Sequence, residues 1–173
     1  GVSWVQVSVH QFGLPVLVFS AGVTVLFVAF ISLYTAVFAW LAARFTDLPA
    51  RLAVPAIAAA WTLTEALRGV LLTGFPWLQA GYSQIDSPLA GYAPVTGVLG
   101  TGFAVAMLAA LAARLPGRGA PGVAPALLLA ALIVAGGWLA GRVEWTRPAD
   151  AALPAAIVQG NVPQAVKWLP RTR

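Results

Sequence analysis

The chain has 173 residues, of which 60% are hydrophobic and only 9% charged, and its mean hydropathy is +0.87. Soluble domains run near a quarter charged, so this composition cannot cover a soluble surface and points to an integral membrane protein. The net charge of +5 is spread over scattered arginines with no basic run interleaved with aromatics, cysteine is absent and His10 is the sole histidine, which argues against nucleic-acid binding and excludes disulfides, thiol nucleophiles and zinc sites within these residues.

The opening Gly1-Val2-Ser3-Trp4 shows no basic leader region, and the closing "VKWLPRTR" completes neither helix nor strand. Both ends read as cut from something longer. His10 reads as an interfacial or loop side chain. No charged residue occurs from Gln11 to Ala43, which is ample for a span, since about 20 apolar residues cross a bilayer core. Pro15 suits its start, placing the first span at about 15–43. A second apolar stretch, about 48–72, carries Arg51, Glu65 and Arg68. Two charge-free stretches follow, at about 95–113 and 123–141. Surfaces rich in Ala and Gly, as in "LGTGFAVAMLAALAA", let helix backbones approach closely in bundles.

Arginine placement sets the orientation. Arg44 and Arg51 flank the turn after the first span, and Arg114 and Arg118 follow the third. The loop 73–94 carries a single acid, Asp86, and no Lys or Arg. The positive-inside rule therefore puts the arginine-bearing turns in the cytoplasm, and loop 73–94, the N-terminus and everything after Gly141 on the outer face.

That loop holds Gly74, Pro76, Trp77, Tyr82, Pro88 and Tyr92. Its density of turn formers predicts a folded loop, and long structured loops are enriched in function. Trp77 fits either a generic aromatic belt or a working surface. Glu65 and Arg68, three apart, share a helical face. They read as a structural pair holding the bundle together, with Arg68 also suited to anchor a lipid phosphate.

After Gly141 the composition changes. Residues 142–153 form a charged, Pro-containing linker, and the apolar run from Pro154 to Val162, ending at Gly160-Asn161, reads as a buried strand opening an extramembrane domain. Gln159 and Asn161 stand at its end and Lys167-Trp168 just beyond. No Ser-His-Asp, Cys-His or paired-carboxylate set can be assembled from these residues, and no phosphate-cradling glycine motif is present.

The segments "GVSWVQVSVHQFG", "SLYTAVFAW", "TEALRGVLLTGFPWLQAGYSQIDSPLAGYAPVTGV" and "IVQGNVPQAVKW", in this order and spacing, resemble bacterial apolipoprotein N-acyltransferase along nearly the whole chain. The GFPWLQ-GYSQ block is specific; VQGN alone is shared with soluble nitrilase relatives. The resemblance implies an all-α polytopic membrane bundle of about four spans, followed at 154–173 by the first strand of a truncated α/β nitrilase-like domain. It implies a multi-pass protein of the bacterial inner membrane with its C-terminal domain in the periplasm. The implied partners are a membrane phospholipid as acyl donor and a diacylglyceryl-lipoprotein as acceptor, with no cofactor, metal or nucleic acid. Transfer to the acceptor's N-terminal amine would pass through a thioester on a cysteine, aided by a glutamate base and an oxyanion-stabilising lysine.

Those three residues would all lie downstream of Arg173, so no catalytic residue is carried over and the 173 residues alone are expected to be inactive. The resemblance makes Trp77 and Trp168 the substrate-binding residues, with Phe75 and Arg68 beside them. Two rivals remain from the residues alone: a non-enzymatic lipid-binding or scaffold module of the membrane, and a transporter, for which broken-helix repeats are not evident.

Overall fold

A computed structural model describes residues 2–13, 15–115, 120–147 and 154–163. The chain divides into two compact units, Gly1–Leu26 with Thr146–Arg173, and Phe27–Trp145. Five α-helices follow in order: α1 (Trp4–Phe12), α2 (Leu17–Phe45), α3 (Ala50–Val70), α4 (Ala93–Ala113) and α5 (Ala120–Ala140).

In the first unit α1 is a short helix that the apolar pattern did not announce, with His10 in its last turn and its end closed by the Gly13 amide on the Val9 carbonyl. The first ten residues of α2 satisfy their hydroxyls locally. Ser20 donates to the Leu17 carbonyl and Thr24 to the Ser20 carbonyl, as hydroxyls do inside apolar helices.

The strand expected at 154–162 is not formed: residues 154–163 have no regular secondary structure, and Ile157 and Val158 are almost fully exposed. The physical reason is that a strand exists through its ladder to a neighbour, and the described residues contain no strand to pair with. At its end Asn161 takes a φ of 47°, in the left-handed region.

The second unit carries the bundle. The rest of α2, α3, α4 and α5 lie on the apolar stretches, α3 on the charge-bearing one, each boundary within a few residues of the expected span. Three helical segments are long and apolar enough to cross a membrane, Leu17–Phe45, Pro88–Ala113 and Val123–Ala140. Helix α3 is as long as α4, with Arg51, Glu65 and Arg68 along it.

Its partner is α4, against which it buries small residues: Ala53, Ala58 and Ala60 on α3 and Ala104 and Ala110 on α4 are nearly inaccessible. Such surfaces bring backbones close where lipid tails supply no hydrophobic drive between helices. Val54, Ala110, Leu111 and Ala126 form the core where α3, α4 and α5 meet. Helix α2 attaches through aromatic side chains instead, Phe38 meeting Trp61 of α3 edge to face at 5.0 Å, a favoured geometry for ring pairs.

At one end of this unit the Arg114 guanidinium donates to the Thr46 carbonyl at 2.6 Å and the Leu48 carbonyl at 3.3 Å. The turn between α2 and α3 and the end of α4 thus share an end, as the arginine pattern requires. At the other end, 71–92 is a folded cap of three 3-10 turns, Leu71–Thr73, Ala80–Gln84 and Pro88–Tyr92. Helix α4 bends just after this cap, where Gly97 takes φ 66°, a conformation open to glycine at little cost.

Candidate functional site

The cap is pinned to the bundle at both of its ends. At the start, Glu65 and Arg68 project from the last turns of α3. The Glu65 carboxylate is buried, and its Oε1 accepts the Ala80 amide at 2.8 Å. The largely buried Arg68 side chain donates from Nη1 to the Trp77 carbonyl at 2.7 Å and makes a longer 3.5 Å contact from Nη2 to the Leu78 carbonyl. Nη2 also lies 3.7 Å from Glu65 Oε1. An arginine fork suits this task, because several donors leave one rigid plane. Gly102 on α4 leaves room for the carboxylate: a Cβ there would lie 3.2 Å from Glu65 Oε2.

At the far end the Pro88–Tyr92 turn lies directly on α5. Gly91 and Gly137 bring the two backbones together, and a Cβ on Gly91 would collide with the Gly137 carbonyl and stand 2.9 Å from the Gly141 Cα. The Tyr92 hydroxyl donates to the Ile133 carbonyl at 2.7 Å. Between the two anchors, Gly81 is pressed against the Val98 carbonyl of α4, and Ser87 caps the Pro88 turn by accepting the Leu89 amide.

Between Arg68 and Ala80 the chain displays aromatic rings. Phe75 meets Phe27 of α2 edge to face at 5.0 Å, and Trp77 stacks on Phe75 at 5.2 Å with 27° between planes. Trp77 keeps 56% of its surface exposed, so one ring face is packed while the rest looks outward. Pro76, Trp77, Leu78 and Tyr82 line a shallow apolar hollow of about 300 Å³. Tyr34, Thr35, Thr64, Glu65 and Arg68, with Leu78, border a more polar pocket of about 190 Å³ between α2 and α3.

Holding this display costs backbone strain. Leu72, Thr73 and Leu78 have φ of 51°, 72° and 62°; for a β-branched residue such as Thr73 that is a genuine outlier. Such residues cost ~1–3 kcal/mol each and persist only where surrounding contacts over-determine them. Here the strained residues bracket Phe75 and Trp77; after the rings the Glu65 and Arg68 side chains hold Trp77, Leu78 and Ala80, and before them the Phe75 amide donates to the Arg68 carbonyl at 2.7 Å.

A family model described as "Apolipoprotein N-acyltransferase N-terminal domain" matches residues 1–111. The chain belongs to the apolipoprotein N-acyltransferase family. Its curated relatives include the "Apolipoprotein N-acyltransferase" of Methylococcus capsulatus, 43% identical over 176 residues, which cover 100% of this chain and 34% of that protein. The proteins of that name from Azotobacter vinelandii and Pseudomonas syringae pv. tomato are 42% and 40% identical, covering 98% and 99% of this chain and 34% and 35% of their own. The chain spans about a third of the length of the curated apolipoprotein N-acyltransferases it matches. Helices of this length and apolarity, in this family, make it a multi-pass membrane protein.

Of the residues expected to bind substrate, Phe75, Trp77 and Arg68 are brought into one cluster, all within the stretch matched by the apolipoprotein N-acyltransferase model. Lys167 and Trp168 lie outside the described residues. Sequence reasoning missed Phe27, which meets Phe75 edge to face from a position 48 residues earlier in the chain, and missed the Ala80 amide as the target of Glu65. Gly81 and Gly91 were the available signals, since both mark close backbone approach.

Proposed function

We propose that this chain is the membrane part of an enzyme that moves a fatty acyl chain from a phospholipid to the N-terminal amine of an S-diacylglyceryl-cysteine lipoprotein, through a thioester on a residue downstream of Arg173. In this reading the four helices α2 to α5 all cross the bacterial inner membrane. The cap 71–92 and the nitrilase-like domain, of which 154–173 is the start, face the periplasm. Helix α3 can cross with its charges because Glu65 and Arg68 are paired and hydrogen-bonded near its outer end.

The observation that carries the reading is the Phe27–Phe75–Trp77 array, rigidly mounted yet exposed at Trp77. Donor and acceptor are both lipids of one leaflet, so the site must open sideways to the bilayer. Aromatic rings at that level pack acyl chains while leaving headgroups in water. Phe75 and Trp77 are the residues proposed to hold acyl chains, and Trp168 is proposed as a further substrate-binding residue.

The test is turnover by the full-length protein in membranes, following a labelled acyl chain from phospholipid to a diacylglyceryl peptide with a free N-terminal cysteine. Trp77→Ala is expected to lower kcat/KM by about tenfold or more, the scale of losing a large packed side chain from a binding site. Normal membrane expression with unchanged turnover contradicts the reading.

A further inference from the structure

Resting on the lipid-binding reading of Trp77, we propose that Glu65 and Arg68 are positioning residues that act on the lipid through Trp77, and that neither meets the headgroup itself. The Arg68 guanidinium is spent inward: its closest contact is the Trp77 carbonyl, followed by Leu78 and the Glu65 carboxylate. Glu65 holds the next fixed point, the Ala80 amide. The two side chains therefore grip the backbone at 77, 78 and 80 from two positions one helical turn apart on α3.

What they grip would relax without them. Leu78, within the gripped stretch, sits at positive φ, where non-glycine residues stay only under outside constraint. Trp77 has no deep pocket of its own, since it is more than half exposed and rests on Phe75 alone among described rings. Its backbone carbonyl is thus the handle by which its direction is set. The same geometry separates this role from a phosphate anchor. A lipid phosphate would draw Arg68 outward and compete with the carbonyls, so headgroup binding and loop fixation oppose each other at one guanidinium.

A double-mutant cycle in the full-length protein tests the proposal. Arg68→Met, which keeps the apolar stem and removes every donor, should lower phospholipid-dependent kcat/KM about tenfold in the native background and less than about twofold beside Trp77→Ala, because residues acting through one another are not additive. Equal losses in both backgrounds mean that Arg68 touches the lipid directly and overturn the proposal.

Glu65→Ala should show a comparable loss, and Glu65→Gln should recover most of it, since an amide oxygen still accepts from Ala80. A Gln variant as poor as Ala assigns the role to the charge and also overturns it. Hydrogen exchange supplies a readout independent of activity: the Ala80 amide should exchange about tenfold faster in Glu65→Ala, with helix α5 unchanged. If Trp77→Ala proves silent, the lipid-binding reading falls, and the grip on the loop is then overturned only by unchanged exchange at Ala80.

Discussion

Between α2 and α3 the chain reverses within 46–49, whereas between α3 and α4 it takes 71–92. Both ends use an arginine on backbone carbonyls: Arg114 bonds Thr46 and Leu48, and Arg68 bonds Trp77 and Leu78. The short turn is exposed, has no residue at positive φ and displays no stacked aromatic pair. The long one contains three strained non-glycine residues, a stacked Phe75–Trp77 pair and glycine contacts that admit no side chain. Reversing a helix direction needs only a few residues. The additional length at the second end goes into a surface whose shape is held against its own backbone preference, which is how working loops differ from connections.

Substitutions at the two ends should therefore differ sharply in effect. The largest is expected at Gly91, where even Gly91→Ala drives a Cβ into the Gly137 carbonyl. Undocking the cap from α5 should cost at least about 3 kcal/mol, the upper range for overpacking a tight site, and be read as lost membrane yield and a lowered melting temperature in detergent. Retained stability would show that the cap is not docked as described. The Trp77 and Glu65–Arg68 variants come next, losing activity while keeping expression. The smallest effect is expected at the opposite end: Arg114→Gln removes bonds to exposed carbonyls that water can replace, so about 1 kcal/mol or less of stability and no change in turnover should follow. A large activity loss there would erase the contrast.

How much of this was legible depends on whether a feature is local. Helices α2, α4 and α5 follow from charge-free runs, and the arginines of 44–51 and 114 marked which ends belong together, as the Arg114 bonds to Thr46 and Leu48 bear out. The folded character of 71–92 followed from its prolines and glycines. What the Glu65–Arg68 spacing could not reveal was its object, because Ala80 and Trp77 are reached across a turn that no periodicity describes. The same limit explains Pro154 to Val162. Its composition suits a strand, but strand formation is settled by a partner, and Ile157 and Val158 have none among the described residues.

The most direct measurement is light-driven crosslinking of a phospholipid with a photoreactive acyl chain to the full-length protein in native membranes, with the labelled peptides mapped. Label concentrated on 71–85, lost in Trp77→Ala and scarce on 46–52, is the predicted result. Equal labelling of both connections, or labelling indifferent to Trp77, would contradict the account that one end of this bundle is built as a surface for lipid.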